Sequence, residues 1–209
     1  MNIEIYQTIR DRILYLDYAP GQILNETHLA EEFDVSRTPI RDVLSRLEWE
    51  QLVKILPRTG TIVTEIDFQK TFHVFQIRTE IEGLTAQWAC DNINDIQLGE
   101  LEKLNKELMQ FKDPITNRIL VQTDRKFRQI LYDASNNAIL SQISQYLYNL
   151  TIRLSAHRKS TRDLEMQWNL IVDEIDQLYK IFSENNSSEA KKIRRKFLRK
   201  HIEIVKNRL

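Results

Sequence analysis

Cysteine is nearly absent from the sequence: Cys90 stands alone in TAQWACDN, which excludes an internal disulfide and a thiolate metal cluster. In that setting it reads as a helix-core position of a protein kept in a reducing compartment, not as a reactive thiol. Glycine and proline are scarce too, with four of each, and Gly21, Gly60, Pro20, Pro39 and Pro57 all precede residue 61. The remainder is poor in breakers, which predicts a short mixed domain followed by long helices. A basic-then-apolar leader is missing from MNIEIYQTIRDR, and no apolar run has membrane-spanning length. The expected location is therefore the cytoplasm, with no membrane partner. Net charge is zero, from 30 Lys+Arg against 30 Asp+Glu, and 42% of residues are hydrophobic, as in a soluble folded protein.

What is present is concentrated. Residues 1 to 65 hold seven Lys/Arg against eleven Asp/Glu, yet five of those seven bases lie between Arg37 and Arg58. Ile5, Ile9, Ile13 and Leu16 carry a helical spacing that Pro20 and Gly21 should stop. NETHLAEEF reads as a short helix with Asn25 at its N-cap and Leu29, Ala30 and Phe33 inward. A tight DVS turn follows, and Ser36 is expected to cap the next helix, with Pro39 in its first turn, where a missing N–H costs little. LVKILPRTGTIVTEI alternates around Pro57 to Gly60 as two strands and a basic turn. The expected fold is mainly α: a winged helix-turn-helix over residues 1–66, which binds DNA, and an all-helical antiparallel bundle over 67–209, which binds effector and dimerises.

On a helix starting at Ser36, Arg37 and Arg41 share one face while Ile40, Val43, Leu44 and Leu47 supply the apolar one. Such an N-terminal turn, with Ser36, Arg37 and Thr38, suits phosphates and base edges in a major groove, where arginine meets guanine bidentately. Arg46 lies farther along the same helix and is a further candidate DNA contact that could equally pair with Asp42 or Glu50, each four residues away. Solvated surface charge is the bland explanation of these arginines, but helix-turn-helix spacing, a cationic recognition turn and a basic hairpin with Arg58 and Gly60 agree on duplex DNA. The stretch LAEEFDVSRTPIRDVLSRLEWEQLVKILPRTGTIV resembles the reader domain of the GntR family of bacterial transcription regulators. That resemblance implies a dimer on a short palindromic operator, and assigns DNA contact to Ser36, Arg37, Thr38, Arg41 and the wing residues Arg58, Thr59 and Gly60. Thr27 stands where some relatives carry an arginine toward DNA, and Asp42 where many carry glutamate.

In the helical half, Ile77, Ile81, Leu84 and Trp88 form one apolar stripe, and further helices are drawn through 117–134, 137–158, 163–183 and 188–207. Leu120, Asp124, Phe127 and Leu131 share a face, with Arg128 four residues after Asp124; Ala190, Ile193, Phe197, His201 and Ile204 share another. An acid and a histidine on apolar faces should be paired or ligating. TDRKFRQILYDASNNAIL resembles the ligand-binding core of the FadR-like branch of GntR regulators, the all-helical FCD domain. Metal-binding members of that branch use Asp-x-x-x-His plus two later histidines, which the resemblance maps onto Asp124, Arg128, Asn169 and His201. With two of four ligands gone, a divalent metal at Asp124 and His201 is disfavoured, and no other cofactor is expected. Arg128 instead favours a small organic acid, with Arg153 as a second donor. His28, His73 and His157 are read as structural. KKIRRKFLRK reads as a solvated terminal helix with Ile193 and Phe197 inward, in preference to a second nucleic-acid surface. The leading reading is thus a ligand-responsive, dimeric transcription regulator. The alternatives are an acid/base or metal enzyme using Asp124 and His201, for which no complete motif exists, and a helical adaptor.

Overall fold

The computed structural model of the protein describes residues 2–57, 60–156 and 160–206. The chain divides into two compact units between Asp67 and Phe68. In the first, α1 (Ile3–Leu14), α2 (Glu26–Glu32) and α3 (Arg37–Trp49) pack with the strands β1 (Ile23–Leu24), β2 (Val53–Leu56) and β3 (Gly60–Val63). Their apolar faces meet in a core that includes Ile9, Ile13, Leu14, Ile40, Val43, Leu44 and Leu47, all fully buried. At about 1.5–3 kcal/mol for each such side chain, this stripe is what fixes α3 against α1. β3 lies centrally, antiparallel to both neighbours, with Leu56 opposite Gly60 across the hairpin. The β1 strand, pairing Ile23 with Ile62, has no counterpart in the pattern read from the sequence.

One local expectation changes and one holds. The first helix ends at Leu14, before Pro20: Leu16 takes φ 65°, and the exit turn is closed by the Tyr18 N–H donating to the Arg12 carbonyl. Asn25 caps α2 as expected, accepting from the N–H groups of Thr27 and His28 at 2.8 and 3.2 Å.

The second unit contains α4 (Phe68–Asn92), α5 (Asp95–Met109), α6 (Asn117–Ala134), α7 (Ala138–Ala156), α8 (Thr161–Ser183) and α9 (Ser187–Lys206). Reciprocal capping boxes start α5, through Asn94 and Gln97, and α8, through Ser160 and Asp163. Leu101 and Leu104 of α5, Phe127 and Leu131 of α6, and Ile175, Leu178 and Phe182 of α8 form one hydrophobic core. Helices α4 and α7 run antiparallel, as shown by Thr85 against Ser144 (3.0 Å) and Arg78 donating to Thr151 (2.6 Å). Gly83 lets α9 lie close on α4, since a Cβ there would fall 2.7 Å from Arg195 Cγ. No helix among the described residues is long and apolar enough to cross a membrane.

The stripe expected on α4 faces the wrong way. The buried side holds Phe75, Arg78, Thr79, Glu82, Thr85, Ala86 and Ala89, while Ile77 is exposed and Ile81, Leu84 and Trp88 are half-buried. The physical cause lies in the packing: small and charged residues are needed where α7 and α9 approach closely, so the more apolar face is left outside.

Candidate nucleic-acid interface and buried charge site

At the start of α3, Ser36 sits at the N-cap with ψ 168°, yet its hydroxyl makes no capping bond. An N-cap oxygen accepts from the second or third residue of the helix, and the third here is Pro39, which has no N–H. Capping by Ser36 is thus corrected, and its exposed hydroxyl is left for a ligand. Thr38 is exposed beside it.

Arg37 and Arg41 project from the same face, their side chains 54% and 60% exposed. Both reach one carboxylate oxygen, Glu26 Oε2 in the first turn of α2: Arg37 through Nη2 at 2.8 Å and Arg41 through Nε at 2.8 Å. The Arg37 hydrogen bond first, and then Arg41, hold Glu26 below the usual carboxylate range against the opposing effect of burial. These groups line a groove of about 450 Å³ together with Thr27, Pro57 and Gly60, so recognition helix, α2 and wing converge on one concavity. Gly60 holds φ 120°, a left-handed conformation suited to glycine at the base of the wing. Arg58 and Thr59 lie outside the described residues. Arg46 is directed elsewhere: its guanidinium packs 4.1 Å from the Tyr6 ring centroid and 3.4 Å from Glu50, tying α3 to α1.

The helical unit holds a second charged cluster, and this one is buried. Its hub is Glu82 on α4, with no exposure at all. Arg78 Nε lies 3.1 Å from Glu82 Oε1, Arg128 Nη1 also bonds Oε1, and Arg194 reaches Oε2 through Nε at 3.2 Å and Nη2 at 2.5 Å. Tyr132 donates to Glu82 at 3.3 Å. Arg128 Nε donates to Asp124 at 3.0 Å, and Arg194 Nη1 bonds Glu174 at 2.5 Å. Three guanidinium groups therefore face three carboxylates, a balanced set that joins α4, α6, α8 and α9. Arg128 and Arg78 also pack over the Tyr148 ring at 4.6 and 5.0 Å. Burial works against ionisation of Glu82, but Arg128, Arg194 and Arg78 outweigh it and hold the carboxyl far below its ordinary value of 4.5. Asp124 is lowered in the same way, burial being overcome mainly by Arg128. Glu174 is raised, because its burial outweighs the attraction of Arg194.

A cavity of about 30 Å³ opens against this cluster, lined among others by Asp124, Arg128, Tyr148, Glu174 and His201. The Tyr148 hydroxyl is buried with no hydrogen-bond partner there. His201 is half-buried on α9, its ring 5.9 Å from that of Phe75. Asn169 is exposed on α8 and does not line the cavity; Leu170, Ile171 and Glu174 form that wall instead. The reason is helical phase, since Asn169 falls off the face shared by Gln167, Ile171 and Glu174. Arg153 is buried on α7 but is not part of the lining. Arg194, expected on the outer face of the terminal helix, is fully buried at the centre of the cluster. The donor set does not fit a divalent ion: Arg128 stands beside Asp124, Asn169 points away, and no group of three or more His, Cys, Asp or Glu among the described residues can hold a metal.

Comparison with known proteins agrees with both halves. Residues 3–63 match the family described as "Bacterial regulatory proteins, gntR family", and residues 73–204 match the FCD domain. The chain is 28% identical over 149 residues to the HTH-type transcriptional regulator YdhC of Bacillus subtilis strain 168, covering 71% of this chain and 66% of YdhC. It is 25% identical over 148 residues to the HTH-type transcriptional regulator McbR of Escherichia coli K12, covering 71% and 67%. The matched stretch thus spans about two thirds of these relatives. The solved structure of E. coli McbR/YncC shares the fold, with a TM-score of 0.84 at 21% identity over 99% of this chain and 97% of that one. A winged helix-turn-helix and an all-helical domain, matched by these two families of regulators and not of enzymes, place the chain in the GntR family of bacterial regulatory proteins, with an FCD domain as its helical half.

Proposed function

We propose that the protein acts in the cytoplasm as a homodimer on a palindromic duplex operator, and that a small organic acid bound in the FCD domain changes its affinity for DNA. The observation that carries the DNA half is the pair of outward arginines, Arg37 and Arg41, beside the unengaged Ser36 hydroxyl. Ser36, Thr38 and the wing residues Arg58, Thr59 and Gly60 take phosphate contacts, which set register, while Arg37 and Arg41 read bases. Arg46 serves the α1–α3 contact. A second copy suits the apolar stripe where α4 and α7 run side by side: Ile77 is 57% exposed, and Ile139, Ile143 and Tyr146 are exposed on α7.

For the effector, the Arg128 fork beside Asp124, with His201 and the Tyr148 hydroxyl on the same cavity, supports a carboxylate ligand. Arg153 and Asn169 take no part as the helices stand. The cavity is far below the roughly 300 Å³ of ordinary ligand pockets, so binding opens it and the acid displaces Asp124 from Arg128. The charge balance favours a second reading, in which the cluster is a structural replacement for a metal and answers to no anion. Calorimetric titration of small mono- and dicarboxylic acids into wild type and Arg128→Lys separates them. Saturable heat that is lost in Arg128→Lys, together with altered DNA affinity in the presence of the acid, supports the effector reading. No heat with any acid supports the structural one.

A further inference from the structure

We propose that Glu26 is a specificity-determining residue of the DNA reader, one that positions Arg37 and Arg41 for base recognition without itself contacting the base they read. The inference rests on the DNA-reading function above. An arginine on a helix surface ordinarily samples many rotamers, and fixing it on binding costs entropy. Here two arginines one helical turn apart converge on a single oxygen, Glu26 Oε2, each at 2.8 Å, although both side chains are more than half exposed. Glu26 itself is only 21% exposed and stands in the first turn of α2, whose start is fixed by the Asn25 cap. The anchor is therefore on a rigid element, while the arginines it holds face the groove shared with the wing.

The bonding pattern leaves the recognition edge open. Arg41 spends Nε on Glu26, so its Nη1 and Nη2 edge points outward with the parallel N–H geometry that guanine O6 and N7 accept. Arg37 spends Nη2 on the same oxygen, which leaves its Nε and Nη1 donors uncommitted to Glu26. A negative charge facing a phosphate-rich ligand weakens general affinity, so a glutamate here makes sense only if it returns discrimination. Two consequences follow: removing the carboxylate relaxes base preference, and it does not weaken sequence-independent binding.

The test is selection of bound sequences from a random duplex pool by the wild-type protein, Glu26→Gln and Glu26→Asp. Affinities for the wild-type-selected duplex and a scrambled duplex are then measured across salt concentrations. Wild type is expected to yield a defined half-site. Glu26→Gln, isosteric and uncharged, should lose about tenfold in the selected-to-scrambled ratio, with equal or tighter scrambled binding and an unchanged salt slope. Glu26→Asp keeps the charge but is too short to reach both arginines, and should show the same relaxed preference. A ratio in Glu26→Gln within twofold of wild type overturns the proposal, as does full rescue by Glu26→Asp, which would make charge alone responsible. Equal loss on both duplexes also overturns it, because that is the signature of damage to the fold. A wild-type protein that enriches no sequence overturns this proposal together with the DNA-reading function.

Discussion

At the scale of single residues, the buried cluster is the costliest feature of the protein and the most sensitive to change. Glu82 bonds all three guanidinium groups and supplies one of the three negative charges that balance them, in an interior that cannot solvate an excess charge. Glu82→Gln keeps the shape but strands that charge, and should destabilise the helical unit by roughly 3–5 kcal/mol in urea unfolding. The pH dependence has a definite sign. Glu82 and Asp124 are depressed in the folded state, so their contribution is complete above the ordinary carboxylate range and is lost as pH falls below about 4 toward their folded values. Glu174, raised by burial, opposes this slightly by favouring the folded state once protonated. Stability should therefore fall on acidification in wild type and fall less steeply in Glu82→Gln; identical slopes would remove Glu82 from the account. Asp124, Arg128 and His201 were legible in the sequence because acid, base and histidine stood out on otherwise apolar helix faces. Glu82 and Arg194 were not, for two reasons. Arg78 and Glu82 look like an ordinary surface pair four residues apart. Arg194 is one cation within the run KKIRRKFLRK, and nothing local distinguishes the buried member from the solvated ones.

Elements were easier to read than faces. The short helices around DVS, the hairpin at Pro57 to Gly60 and the breaks at Asn136 and Asn185, both with positive φ, follow from breakers and caps, whose physics is local. The orientation of α4 is not local, because it depends on how closely α7 and α9 approach, and Gly83 with Ala86 and Ala89 marks that contact. That orientation has a functional side: an apolar stripe that is not core is available to a partner. If α4 and α7 form the dimer contact, Ile143→Asp should weaken self-association by roughly 2 kcal/mol or more while leaving helix content unchanged. Sedimentation equilibrium across a concentration series checks this, and an unaltered dimer would move the contact to another surface.

On the scale of the whole molecule, zero net charge conceals a division of labour. Five of the seven bases in residues 1 to 65 lie between Arg37 and Arg58, and Arg37 and Arg41 face solvent while bonded to Glu26. In the helical unit, the cations that matter are turned inward and neutralised. A protein built this way binds DNA through placement of charge and not through its amount, so specific binding should stand well above a weak general background. The most direct measurement is selection from a random duplex pool, followed by titration of the enriched site with wild type, Arg37→Ala and Arg41→Ala and sedimentation of the complex. The account predicts a palindromic site, two chains on each duplex, and a loss of about 1–3 kcal/mol per half-site in either variant, with scrambled DNA bound far more weakly. Enrichment of no sequence, or wild-type affinity in both arginine variants, would contradict it.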